Sequence, residues 1–348
     1  MRPLRFAVLG SRFWAQFQIA AWGEVEGAEL VAIYNRTHER AEATARRFGI
    51  PAVYDDVEAM FAHEKLDFID IITHPSTFSY FVPLAARHHI PVICQKPMAP
   101  DLRTAEEMVR TCREAGVPFL VHENWRWQPQ IRALKRTLET ADVGKPFRAR
   151  LTYSSNYPVF VNEPHLRDLE QFMLTDMGTH ILDVARYLFG EASVLYCQIR
   201  RVDPSIKGED VATVMMEMGE GVTVTCEMSY ASRLEQQSFP QVCILVECEN
   251  GSVELAVDYW IRTTTEAGTY AQRCELPWYD WMDPVHRVVQ ASIASCNAHL
   301  LEALRTGRDA ETSGADDLKT LQLVYGSYES AAGEKTVFLG ERADGHRA

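Results

Sequence analysis

Five short runs in the first 123 residues are apolar without alternation: Leu4–Leu9, Leu30–Tyr34, Phe68–Thr73, Pro91–Cys94 and Pro118–Val121. A strand covered on one face alternates apolar and polar residues, whereas a strand covered on both faces reads as a continuous apolar run. Amphipathic stretches such as Thr37–Phe48 and Leu102–Ala115 separate these runs and are long enough to cross from one parallel strand to the next. The rhythm predicts a doubly wound α/β domain around a parallel sheet.

The pattern changes after Trp125. A helix over Pro129–Thr140 leads through Gly144-Lys145-Pro146 into Phe147–Ser155, which alternates like a half-exposed strand. A second helix, Thr175–Phe189, ends at Gly190 in the C-cap role. Strand-like runs follow in series: Val194–Arg201, Val211–Met218, Val222–Ala231, Val242–Cys248 and Ser252–Val257. Asn250-Gly251 is a two-residue hairpin signal, and Gly219-Glu220-Gly221 is a looser one. Strands joined by tight turns run antiparallel, so this part is expected to be α+β with an open, mainly antiparallel sheet. Two helices close the chain. Val285, Val289, Ile293, Cys296, Leu300 and Leu304 form one stripe, and Ser313 begins a Ser-x-x-Asp cap into Leu318, Leu321 and Val324.

A chain of 348 residues suits two domains. The expected division is 1–123, then 124–340 for substrate binding and oligomerisation, with 341–348 as a polar tail. The formal net charge of −13 repels phosphate backbones and anionic lipid, which argues against nucleic-acid and membrane partners. No run approaches the ~18 apolar residues of a spanning helix. The eight cysteines are scattered without Cys-x-x-Cys or His spacing, so they read as reduced thiols and not as a metal site. These features point to a cytoplasmic chain. The open sheet is expected to pair between subunits in a homodimer or homotetramer.

Gly10-Ser11-Arg12-Phe13-Trp14-Ala15 joins the first strand to the first helix, where a dinucleotide pyrophosphate sits on backbone N–H groups and the helix dipole. Two of the three small positions of the usual Gly-x-Gly-x-x-Gly/Ala turn are kept, and Arg12 stands at the middle one. At the end of the second strand, Asn35-Arg36-Thr37 replaces the acid that binds a ribose diol; Arg36 can pair with a 2′-phosphate. The cofactor is therefore expected to be NAD(P), leaning to NADP. Thr73, His74, Gln95 and Asn124 lie at later strand ends and are further candidate cofactor contacts.

Lys96 precedes Pro97 at the carboxyl end of the fourth run, where α/β sheets bind ligands. Asp176 and His180 are four apart, a spacing that puts carboxylate and imidazole on one helix face. A neighbouring carboxylate orients the ring and raises its basicity, as a general base requires. Trp125, Arg126 and Tyr153 are candidate substrate contacts beside Lys96, Asp176 and His180.

In this order, the Gly10 turn, Gln95-Lys96-Pro97 and Asp176-x-Gly178-x-His180-x-x-Asp183 resemble the Gfo/Idh/MocA oxidoreductases. The resemblance covers nearly the whole chain and implies a Rossmann-type first domain. It also implies that Lys96, Asp176 and His180 act around a substrate hydroxyl. Gln95 stands where the family pattern has Glu, and Arg12 where it has Gly. Ile93–Pro97, Val121–Gln128, Gly208–Thr213 and Glu311–Asp316 look more specifically like the D-apiose dehydrogenase subgroup, which oxidises an aldose at its anomeric carbon. The expected function is NAD(P)-dependent oxidation of a sugar or polyol hydroxyl with His180 as base. A redox-neutral, NAD-dependent glycosidase and a non-catalytic nucleotide-sensing regulator are the alternatives.

Overall fold

The computed structural model describes residues 2–235 and 239–340, so the expected 341–348 tail lies outside the described residues. The chain divides into two compact units. Among the described residues, one comprises 2–124, 279–283 and 290–319, and the other 125–235, 239–278, 284–289 and 320–340.

In the first unit the apolar runs become strands β1 (Leu4–Leu9), β2 (Ala28–Tyr34), β3 (Ala52–Tyr54), β4 (Phe68–Ile71), β5 (Val92–Gln95) and β6 (Phe119–His122). All pair in parallel, in the order β3-β2-β1-β4-β5-β6, which is the Rossmann order. Strand β3 is only three residues long and half-buried, so it carries no apolar run to announce it. The crossover helices are α1 (Ala15–Trp22), α2 (His38–Phe48), α3 (Val57–His63), α4 (Phe78–Arg87) and α5 (Leu102–Glu114). Phe6 stacks on Phe68 at 4.7 Å, and Trp22 from α1 meets Phe6 at 4.9 Å, tying helix to sheet.

The second unit carries helices α6 (Pro129–Thr140) and α7 (Thr179–Phe189) and strands β7 (Pro146–Ser154), β8 (Val194–Arg200), β9 (Val211–Met218) and β10 (Val222–Ser229). It continues with β11 (Cys243–Cys248), β12 (Gly251–Leu255), β13 (Trp260–Thr265), β14 (Gly268–Arg273) and β15 (Val337–Phe338). The sheet order is β14-β13-β12-β11-β7-β10-β9-β8-β15; β7 and β10 are parallel and the other pairs antiparallel. Burial alternates strictly along β9 and β10, so one face is covered, with α7 packed over β7 and β10. The β13–β14 hairpin carries no apolar pattern to announce it: it is polar, with every residue of β14 exposed.

Two local expectations shift. Cys248 pairs with Gly251, so the hairpin loop is Glu249-Asn250 and Gly251 belongs to β12. A Cβ at Gly251 would lie 2.2 Å from the Thr264 carbonyl oxygen, so this glycine serves the close approach of β13 and not the turn. The compact units are also not contiguous in sequence. The closing helices are α8 (Arg287–Thr306) and α9 (Gly314–Gly333), and residues 290–319 belong to the first unit. There Ile293 and Ala294 pack on Ala21, and the Val121 N–H donates to the Thr312 carbonyl at 2.8 Å. The apolar stripe marked which face of α8 is buried, but periodicity carries no information about the partner. Ser313 caps α9 as expected, its hydroxyl accepting from the Asp316 N–H at 3.2 Å.

Candidate active site

In the first unit, Gly10 takes φ +114°, and its N–H donates to the Tyr34 carbonyl at 2.8 Å. A Cβ there would lie 2.8 Å from the carbonyl carbon and oxygen of Ile72 and 2.9 Å from Thr73 N. The β1–α1 turn is thus pressed against the end of β4, and only glycine satisfies both the left-handed φ and the space. Helix α1 starts after Trp14 with no side-chain cap, the Ala15 N–H turning back to the Arg12 carbonyl at 3.0 Å and the Phe17 and Gln18 N–H groups to the Trp14 carbonyl at 3.1 Å, so what the turn offers an anionic ligand is the close backbone at Gly10 and the positive end of the helix. This fits a dinucleotide pyrophosphate although Arg12 replaces a glycine. Phe13 and Trp14 meet edge-on at 5.3 Å, and both ring against Phe17.

Asn35 is held on both sides: its Nδ2 donates to Ser11 Oγ at 2.5 Å and its Oδ1 accepts from the Thr37 N–H at 2.9 Å. The residue expected near the ribose is therefore joined directly to the phosphate turn, with Arg36 and Arg40 exposed beside it. Thr73 bonds Thr77 through their hydroxyls at 2.6 Å, and His74 caps the short turn Pro75–Thr77. Burial, and after it the charge of Arg12, holds the His74 imidazole below its ordinary pKa. Asn124 is buried, its Nδ2 donating to Ser292 Oγ at 2.8 Å.

Lys96 is half-buried just past β5. The Gln95 side chain next to it belongs to a buried polar chain. Gln95 Nε2 donates to Gln18 Oε1 and, at 3.2 Å, to His122 Nδ1; His122 Nε2 in turn faces Asn297 Oδ1 at 3.0 Å. Gln18 Nε2 donates to both Asp70 oxygens, at 2.9 and 2.8 Å, and Trp22 Nε1 adds a third bond at 2.7 Å. Burial outweighs these bonds and pushes the Asp70 carboxyl up from 3.8 to about 7. The glutamine at position 95 follows from this arrangement: its NH₂ supplies two donors to two acceptors, which a carboxylate could not do.

In the second unit, the helix expected from Thr175 opens as a π-helical turn, Leu174–Gly178, which carries Asp176, and α7 then places His180 in its first turn. Glu209 is buried and holds the start of this turn. Its carboxylate accepts from Phe172 N at 3.2 Å, Leu174 N at 3.0 Å and Tyr328 Oη at 2.6 Å. The Asp210 carbonyl accepts from Tyr230 N at 2.9 Å, and Tyr230 Oη donates to Asp176 Oδ2 at 3.2 Å. Tyr230 and Glu209 were missed as site residues. The only sequence signal was Gly208-Glu209-Asp210, whose role as an anchor appears only here.

Tyr153 is buried and meets Tyr230 edge-on at 5.7 Å. Burial raises both phenols above the ordinary tyrosine range, so both keep their protons. Trp125 is buried as well, stacked on the His180 ring. Arg126, expected at the substrate, reaches Asp183 with two buried hydrogen bonds, Nε to Oδ2 at 2.8 Å and Nη2 to Oδ1. Asp176, His180, Tyr153 and Trp125 thus form one cluster, and Arg126 braces the helix beside it. Among the described residues no group of His, Cys, Asp and Glu could hold a metal, and no helix is long and apolar enough to cross a membrane. None of the eight cysteines is in a disulfide.

The family model described as an oxidoreductase family with an NAD-binding Rossmann fold, Gfo/Idh/MocA, matches residues 4–123, and the Gfo/Idh/MocA C-terminal domain model matches 131–254. The chain is 38% identical to a D-apiose dehydrogenase of Rhizobium rhizogenes, over 98% of this chain and 99% of that one. It is 40% identical to a D-apiose dehydrogenase of Paraburkholderia graminis, over 97% and 90%. The crystal structure of an oxidoreductase from Agrobacterium radiobacter in complex with NAD+, L-tartaric acid and magnesium superposes with a TM-score of 0.94 at 38% identity. That match covers 96% of this chain and 98% of the other.

Proposed function

Because the chain belongs to the Gfo/Idh/MocA oxidoreductase family, we propose that it is an NAD(P)-dependent dehydrogenase of a sugar or polyol hydroxyl. An aldose oxidised at its anomeric carbon, as D-apiose would be, is the leading substrate. The observation that carries this is near full-length identity of 38 and 40% to two D-apiose dehydrogenases in a chain that keeps Lys96, Asp176 and His180. In this reading His180 removes the hydroxyl proton. The Lys96 ammonium hydrogen-bonds the developing alkoxide, and Asp176 orients the base and binds a second hydroxyl. Positioned proton transfer of this kind is worth roughly 10²–10⁴ in rate. The bound nicotinamide supplies the chemistry of hydride acceptance. The Gly10–Trp14 turn holds the pyrophosphate and Asn35 the adenosine ribose.

The nucleotide preference leans to NADP. Asn35 brings no charge against a 2′-phosphate, and the exposed Arg36 can pair with one. Absorbance at 340 nm, with NAD+ or NADP+ against a panel of aldoses and polyols that includes D-apiose, tests both statements. Reduction that disappears in His180→Ala supports the dehydrogenase with His180 as base. Cofactor binding without reduction of either nucleotide by any sugar overturns it. Faster turnover with NAD+ than with NADP+ overturns the lean to NADP.

A further inference from the structure

The imidazole of His180 lies against the face of an indole. The ring centroids of Trp125 and His180 are 4.8 Å apart with 15° between their planes, and the two side chains are only 3% and 6% exposed. The indole is itself held: Tyr153 meets it edge-on at 5.9 Å, and the adjacent Arg126 is bound to Asp183, three residues beyond His180 on α7. A close-packed ring of this kind has little room to turn.

The face of an indole carries the negative side of its quadrupole, and tryptophan is the ring that attracts a cation over its face best. A neutral imidazole gains only dispersion from the stack, whereas an imidazolium gains electrostatic attraction as well. Of the charged and titratable groups on the elements packed against this turn, Arg148 and Arg150 on β7 and Glu227 on β10 lie on the strand faces that are not buried, and Tyr187 lies on α7. Asp176 lies in the preceding π-helical turn with Tyr230 bonded to it. Asp183 and Arg186 on α7 and Arg126 from the turn after β6 form one buried cluster, with Glu191 on Arg186. Tyr153 from β7 and Tyr230 after β10 remain neutral. Asp183 is paired with both arginines.

We infer that Trp125 is a positioning residue for proton transfer, holding the His180 ring in one orientation and stabilising the imidazolium it becomes on taking the substrate proton. The indole expected at the substrate turns its face to the base. The inference rests on the reading of His180 as the base.

The test is the titration of His180 by NMR in the full-length protein labelled at histidine, with its resonance identified by loss in His180→Ala. In Trp125→Leu the midpoint should fall by roughly 0.5–1 pH unit, with Trp125→Phe between it and the native protein. The acid limb of kcat/KM should move down with it. Replacing tryptophan throughout by mono- and difluorotryptophan keeps the ring's shape but weakens its face, so the midpoint should fall stepwise even if Trp125→Leu does not fold. A midpoint unmoved by fluorination, or lowered as much in Trp125→Phe as in Trp125→Leu, overturns the inference. Full turnover in His180→Ala would instead overturn the base itself, and the titration would still report whether the stack acts on the ring.

Discussion

Lys96 and His180 are the residues on which the proposed chemistry turns, and each makes a separable claim. If the Lys96 ammonium meets the developing alkoxide, Lys96→Met should lower kcat by about 10²–10³ while leaving the dissociation constant for the nucleotide within a few-fold. Stopped-flow turnover with fluorescence titration of NADH checks both, and unchanged kcat would remove Lys96 from the mechanism. Asp70 makes a claim about stability. Its carboxyl is raised from 3.8 to about 7 by burial, which amounts to roughly 4 kcal/mol against the ionised form. Below about pH 4 it is neutral whether the chain is folded or not. Between about pH 4 and 7 the unfolded chain releases this proton and the folded one keeps it, so Asp70 lowers stability as pH rises and adds no further slope above about 7. Urea unfolding from pH 4 to 8 should therefore show a fall in the native protein that is smaller in Asp70→Asn. Parallel curves for the two would mean that the folded carboxyl is already ionised near pH 4.

At the scale of elements, the π-helical turn Leu174–Gly178 depends on a residue distant in sequence. Glu209 accepts two backbone N–H groups and the Tyr328 hydroxyl, so truncating it leaves three donors in a buried place. Each lost partner of a buried group costs about 1–3 kcal/mol, with solvent relieving part of the total. Glu209→Ala should lose roughly 3 kcal/mol of stability and lower kcat/KM by displacing Asp176, whereas Tyr328→Phe should lose about 1 kcal/mol. Denaturant midpoints with steady-state kinetics check this, and a Glu209→Ala protein of native stability would show that the turn holds itself. The sequence signalled a helix here through its apolar spacing and Gly190, and α7 does end with its Gly190 N–H on the Arg186 carbonyl at 2.8 Å. It gave no sign of the widened first turn, because one extra residue in a turn leaves the local pattern of apolar positions almost unchanged.

Across the whole molecule, a nucleotide that binds only the folded chain must stabilise it. At one hundred times its dissociation constant the gain is about 2.7 kcal/mol, visible as a rise in Tm. Gly10→Ala should lose both stability and this response, since the added Cβ would meet the backbone of Ile72 and Thr73. A retained NAD+-induced shift in Gly10→Ala would show that the β1–α1 turn is not the pyrophosphate site. Much at this scale was legible in advance. The non-alternating runs identified five of the six parallel strands, and the alternation from Phe147 onward marked a one-sided sheet. The assignment of α8 from Gln290 onward to the first unit was not legible, since an amphipathic face fits any apolar surface.

What the sequence determined by itself is the chemistry that depends on neighbours in the chain. Such features include the glycine where β1 must turn, the serine that caps α9, the strand patterns covered on one face or two, and the spacing of Asp176 and His180. Only the tertiary structure decided which residues surround that pair. Tyr230 reaches Asp176 across 54 positions and Tyr328 reaches Glu209 across 119, and the indole of Trp125 lies on His180 although the spacing of the two residues carries no signal. The physical reason is range. Backbone conformation and capping are set within a turn or two of chain, whereas side-chain stacking and burial are set by whichever surfaces folding brings together.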